Sequence, residues 1–262
     1  MKTFSLNGDW ILQDYNDATK AYPATVPGAM MWDLEKNGVI PNIDWRDNEE
    51  KAQWPIYKDW QYSRSFTIDE AFLSEKKIEL CCEGIDTLAE IYINEKFLAN
   101  TNNMFRVWKF DVKEFLIAGT NTIRFVFKSI VPIMKEKQNI KRLPCWNSYY
   151  EDYAGKSWIR KMPCSFGWDW GPMAPTCGIF RDIYIQGYSV GKIEEAEIRQ
   201  QHNDDGSVTL KLNISSKCFE ENLMLSASAK LWNDDKATEI TAEASNPKAT
   251  EIILTIPNAK KW

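Results

Sequence analysis

The 262-residue sequence holds one histidine, no apolar run of bilayer length, no Cys-x-x-Cys pair and no dense Lys/Arg cluster. Each lack excludes a class of chemistry. A single histidine rules out poly-His zinc sites and leaves a Ser-His-Asp or Cys-His mechanism one candidate, His202. His202 sits in Gln-Gln-His-Asn-Asp-Asp-Gly-Ser at 200–207, the text of an exposed hairpin tip. The six cysteines, at 81, 82, 145, 164, 177 and 218, lack metal or redox spacing and read as reduced thiols of a cytoplasmic protein. No metal or cofactor is expected. Lys plus Arg total 32 against 37 Asp plus Glu, a net charge of −5, so nothing attracts a phosphate backbone and nucleic acid is not an expected partner. No stretch approaches the ~20 apolar residues that cross a membrane. The opening Met-Lys-Thr-Phe-Ser-Leu-Asn-Gly-Asp-Trp lacks the apolar core and cleavage site of a signal peptide.

What the chain has is tryptophan and a period of two. Trp60, Tyr62, Arg64, Phe66 and Ile68 alternate with polar residues, a half-buried strand in which Arg64 needs a polar partner. The same alternation runs through Ile78-Leu80-Cys82, Ala89-Ile91-Ile93, Met104-Arg106-Trp108-Phe110-Val112, Ile123-Phe125-Phe127 and Ile179-Arg181-Ile183-Ile185. The adjacent Cys81 and Cys82 should point to opposite faces of their strand. One short helix is expected at 28–37, opened by Pro27 and closed by Gly38. Many strands with little helix describe an all-β protein, a jelly-roll β-sandwich over 1–190. Trp60, Tyr62, Phe66, Ile91, Ile93, Phe125 and Phe127 should fill the space between its sheets. Residues 38–59 and 132–178 break the strand rhythm. Loops this long are functional or disordered, and their aromatic content, including Trp146, Tyr149, Tyr150, Tyr153, Trp158, Trp168 and Trp170, argues for rigid, functional loops.

Ten of the 12 tryptophans precede residue 192; beyond it, alternation resumes in Val208–Ile214, Leu223–Leu231 and Ile252–Ile256. A second β-domain of immunoglobulin-like type is expected over 191–262. Such a sandwich takes about 100 residues and seven strands, so it should be incomplete here, and the sequence reads as part of a longer chain.

The densest cluster is Trp158-Ile-Arg-Lys-Met-Pro-Cys-Ser-Phe-Gly-Trp-Asp-Trp-Gly-Pro172. Gly167 and Gly171-Pro172 bracket Trp168-Asp169-Trp170, which excludes an ordinary central strand. Indole faces can stack on the C–H faces of a pyranose while a carboxylate accepts hydrogen bonds from two hydroxyls. The plainer alternative has both tryptophans plugging one end of the sandwich and Asp169 capping loop amides, with Arg160 and Arg106 in structural ion pairs. Residue types alone favour the plainer reading and leave both open.

Phe-Gly-Trp-Asp-Trp-Gly-Pro at 166–172 resembles the signature of the β-mannosidases of glycoside hydrolase family 2. Val-Pro-Gly at 26–28, Trp-Gln-Tyr-Ser-Arg-Ser-Phe at 60–66, Glu-Gly-Ile-Asp-Thr at 83–87, Asn-Met-Phe-Arg at 103–106 and Gly-Ile-Phe-Arg-Asp-Ile at 178–183 agree with it. The resemblance implies the N-terminal sugar-binding jelly roll of a retaining exo-β-mannosidase, which removes terminal β-linked mannose from oligosaccharides. Both catalytic glutamates of that family lie on a (β/α)₈ barrel after the second domain, so no catalytic residue is expected here and the barrel of the same parent chain is a partner. By the same resemblance Asp169 binds sugar hydroxyls, with Trp168, Trp170 and Arg160 as pocket wall and support. Phe180 stands where many β-mannosidases have Trp, and a similar Gly-Ile-Phe-Arg-Asp-Val occurs in β-galactosidases. The alternatives are therefore a β-galactosidase or β-glucuronidase relative and a free-standing carbohydrate-binding module.

Overall fold

The computed structural model describes residues 1–146, 151–220, 223, 225–233, 236–244 and 249–259. Tyr149, Tyr150 and Trp262 lie outside the described residues. The chain divides into two compact units, Met1–Gly187 and Tyr188–Trp262, so the first ends within the strand Ile183–Tyr188.

The first unit is built on two antiparallel sheets. A four-stranded sheet orders Lys2–Ser5, Ile183–Tyr188, Lys77–Cys82 and Trp108–Asp111. A six-stranded sheet orders Ala21–Val26, Gly8–Asp14, Trp60–Ile68, Gly119–Phe127, Leu88–Ile93 and Lys96–Asn102. The alternating positions of both sheets share one hydrophobic cluster, as the strand period requires. Phe4 of the smaller sheet meets Phe66 of the larger at 5.9 Å between ring centroids. Trp60, Tyr62, Phe66, Ile91, Ile93, Phe125 and Phe127 are all buried. The Arg64 guanidinium finds its partners in the carbonyls of Leu6 and Asn7, at 2.7 and 2.5 Å.

Local chemistry explains where the structure departs from the alternation. Cys81 and Cys82 are both fully buried because Lys77–Cys82 is an interior strand covered on both faces. The strand expected from Met104 begins only at Trp108, because Asn103 Oδ1 accepts the Phe105 amide at 2.9 Å and turns the chain first. Arg106 then stacks on Trp108, 4.6 Å from the ring centroid, and forms no ion pair among the described residues. The expected helix forms over Met30–Lys36 and ends in a Schellman arrangement: Val39 N–H donates to Leu34 and Gly38 N–H to Glu35, both at 2.9 Å. A longer helix, Ile130–Ile140, replaces the start of the long loop. The Ser129 hydroxyl accepts the Val131 amide, Pro132 sits in the first turn, where proline is tolerated, and Ile130, Val131 and Met134 are buried.

The second unit is also antiparallel. One sheet orders Gly191–His202, Val208–Cys218 and Ala249–Ile256, and Leu225–Asn233 pairs with Lys236–Ala244 in another. The Asp204-Asp205-Gly206 turn joins the first two of these strands, with His202 exposed opposite Val208.

Candidate functional site

The tryptophan-rich motif folds into a tight hairpin. Phe166–Trp168 pairs with Gly171–Met173, and the Trp168–Gly171 register leaves Asp169 and Trp170 as the two tip residues. Gly167 enters the left-handed region at φ 96°, where a side chain would strain the backbone. The base of the hairpin is buried through Phe166, Gly167 and Met173, and the tip is in solvent. Tyr153 packs edge-on against Phe166 at 5.5 Å. Gln53, from the other long aromatic segment, donates to the Met173 carbonyl at 2.7 Å and accepts from the Tyr153 hydroxyl at 2.5 Å. Glu49 accepts the Met173 amide at 3.0 Å. The segments 38–59 and 132–178 thus interlock at the foot of the hairpin.

At the tip, the structure departs from the plainer reading of the motif. Asp169 is exposed and makes no hydrogen bond or ion pair among the described residues, so it caps no loop amide. Trp168 and Trp170 are 37 % and 73 % exposed, which is not the state of core plugs. Trp168 lies 6.4 Å from Trp170 and 5.6 Å, edge-on, from Trp146, itself 76 % exposed. Three exposed indoles therefore cluster at the hairpin whose tip carries Asp169, a carboxylate without a partner among the described residues. Beside them an open cleft of ≈ 380 Å³ runs between Phe105, Trp146, Arg160 and Trp168. The Arg160 side chain is exposed and forms no ion pair among the described residues, while its backbone bridges to Asn103 and accepts the Met104 amide at 3.0 Å. Trp168, Trp170, Asp169 and Arg160 thus come from one segment, and Trp146 and Phe105 join them from outside the motif. Exposure of a large aromatic is what could single these two out, and sequence periodicity does not reveal it.

Below the cleft lies a charged pair that sequence reasoning missed. The Lys161 ammonium, fully buried, pairs with the Asp86 carboxylate and donates to the Thr176 carbonyl at 2.9 Å. The Thr87 hydroxyl donates to the second Asp86 oxygen. Nearby, burial and the charge of Asp86 push the Cys177 thiol far above its ordinary range. That thiol stays protonated and is no nucleophile. Among the described residues, no three His, Cys, Asp or Glu side chains group to hold a metal ion. No helix among them is long and apolar enough to cross a membrane.

Two antiparallel sheets sharing one apolar core, with an aromatic hairpin reaching into solvent, place the first unit in the class of β-sandwich domains. Residues 10–181 match the glycosyl hydrolase 2 galactose-binding domain-like family, and the chain belongs to it. Beta-mannosidase of Mus musculus is 31 % identical over 197 residues, covering 73 % of this chain and 22 % of that protein. Beta-mannosidase of Bos taurus is 33 % identical over 195 residues, covering 72 % of this chain and 22 % of that protein. The crystal structure of beta-D-mannosidase from Dictyoglomus thermophilum superposes with a TM-score of 0.87 at 30 % identity, covering all of this chain (100 %) and 32 % of that one. The chain therefore spans 22 % of the length of these curated relatives.

Proposed function

We propose that this chain is the sugar-contacting N-terminal part of a retaining exo-β-mannosidase that hydrolyses terminal β-linked mannose. Asp169 accepts hydrogen bonds from the hydroxyls of the terminal sugar, Trp168 and Trp170 wall the pocket, and Arg160 borders it. Residues 1–190 form the sugar-binding jelly roll and 191–262 belong to an immunoglobulin-like sandwich. The catalytic carboxylates, two groups ~5–5.5 Å apart in a retaining enzyme, come from a barrel of the parent polypeptide, which closes on the hairpin. The observation that carries this reading is the exposed, unpartnered carboxylate between two indoles at the hairpin tip. The β-mannosidase relatives support the choice of sugar. No disulfide joins any of the six cysteines, which supports a cytoplasmic setting.

The test compares aryl β-D-mannoside, β-D-galactoside and β-D-glucuronide with the full-length polypeptide that carries this chain. The mannoside should be the preferred substrate, and the 262-residue chain alone should turn over none of them above background. Preference for the galactoside or glucuronide would transfer the site to those relatives. Hydrolysis by the isolated chain, abolished by changing one of its own carboxylates, would place the catalytic pair here instead.

A further inference from the structure

The feature the proposed role leaves unexplained is the buried ion pair of Lys161 and Asp86. Removing two charges from water costs several kcal/mol per ion, and well-packed apolar residues of similar volume often do as well or better for stability. What this pair does that an apolar contact does not is join three places in the chain by directed bonds. Lys161 is in the arm that enters the hairpin, and Thr176, whose carbonyl it binds at 2.9 Å, is in the arm that leaves it. Asp86 lies in the short strand Ile85–Asp86, which links Lys77–Cys82 of one sandwich sheet to Leu88–Ile93 of the other, and its backbone pairs with Gly178.

Each arm is tied separately to the body of the fold beside this junction. The Met162 amide donates to Met104 Sδ at 2.9 Å, and the Met104 amide to the Arg160 carbonyl at 3.0 Å. On the departing side the Met30 amide donates to the Cys177 carbonyl at 2.8 Å, and the Met31 amide to the Thr176 hydroxyl at 3.1 Å. The two feet of the hairpin converge on one ammonium group. At the tip, by contrast, no hydrogen bond or ion pair holds the Asp169 side chain among the described residues.

Resting on the sugar-binding reading above, we propose that Lys161 is a positioning residue: clamped between Asp86 and the Thr176 carbonyl, it fixes the hairpin so that Asp169 meets the sugar at a set distance and angle. A carboxylate at the end of a two-residue turn inherits every tilt of the hairpin's base. A displacement of about 1 Å at a reacting site can cost about 100-fold in rate, so a rigid foot has a kinetic consequence beyond stability.

The experiment uses Lys161→Met and, because that change alone strands a buried carboxylate, Lys161→Met/Asp86→Asn, which removes both charges. Each is made in the full-length polypeptide with and without Asp169→Ala, and kcat and KM are measured on an aryl β-mannoside. Hydrogen exchange at 166–173 is followed on the 262-residue chain. The doubly neutralised variant should keep its melting temperature within a few degrees and lose about tenfold in kcat/KM. In the Asp169→Ala background the same change should cost less than about twofold, since the clamp acts through Asp169. Exchange should quicken at 166–173 and stay unchanged in Gly119–Phe127. Full activity with unchanged hairpin exchange, or an equal loss in both backgrounds, would overturn the proposal. If Asp169→Ala alone costs nothing, the sugar-binding reading is what fails. Hairpin exchange then decides the clamp: faster supports it, unchanged refutes it.

Discussion

Tyr62→Phe tests how the scaffold carries the site, because it deletes one oxygen and nothing else. The Tyr62 hydroxyl donates to Asp33 Oδ2 at 2.6 Å, and both residues are buried. Through this bond the helix Met30–Lys36 docks on the strand Trp60–Ile68, and that helix anchors the departing arm of the hairpin at Thr176 and Cys177. The phenyl ring would keep the 5.7 Å edge-on packing against Phe127, so the loss isolates the hydrogen bond. A bond to a charged group is worth roughly 1.5–3 kcal/mol, and at about 2–4 °C per kcal/mol the midpoint should fall by about 3–12 °C. The loss also has a pH signature. Burial pushes the Asp33 carboxyl above its ordinary value, and the bonds from Tyr62 and the Thr25 amide pull it back. A carboxyl raised in the folded state contributes stability below its unfolded pKa and loses it as pH climbs through the folded value. Removing the Tyr62 donor raises Asp33 further and penalises its charged form. The deficit of the variant should therefore be largest above the folded pKa of Asp33 and shrink on acidification through it. Thermal melts of both proteins across the acid range measure this. A shift under about 1 °C, or a deficit that grows toward low pH, would refute the reasoning.

Two further predictions concern the same unit. A methyl group at Gly28 would sit 2.1 Å from the Thr25 carbonyl oxygen, and backbone cannot swing aside as a side chain can, so Gly28→Ala should cost about 2 kcal/mol or more in a denaturant titration. Asn121 is fully buried and ties its turn together, accepting from Asn94 and the Ile117 amide while donating to the Ile117 and Gly119 carbonyls. Asn121→Ala should therefore destabilise by about 2–4 kcal/mol, against a near-zero cost if the network were dispensable.

Alternation exposed most of the sandwich, because a strand covered on one face writes its burial into the sequence every second residue. Trp60–Ile68 shows this directly. Lys77–Cys82 shows the limit: covered on both faces, it buries the polar-phase Glu79 and Cys81 as well, and one-sided logic misplaces them. The helix Ile130–Ile140 was hidden because its buried residues, Ile130, Val131 and Met134, stop in its first half, around a proline, and give no extended helical stripe. The hairpin tip was legible, since the glycines around Trp168-Asp169-Trp170 exclude a plain strand. Its foot was not. Lys161 in a polar loop looks like any solvated lysine, and only the fold brings it to Asp86, which lies 75 residues away.

The central claim is that Asp169 binds sugar, and the most direct measurement is kcat/KM with the unfolding midpoint for Asp169→Asn and Asp169→Ala in the full-length polypeptide. A charge-assisted hydrogen bond of roughly 1.5–3 kcal/mol corresponds to about 10–150-fold in kcat/KM. Asparagine keeps the shape and one acceptor, so it should fall near the low end, and alanine beyond it. Because Asp169 has no bond to lose among the described residues, the unfolding free energies of both variants should stay within about 0.5 kcal/mol of the parent. A lowered midpoint with undiminished kcat/KM would contradict the account and make Asp169 a structural residue.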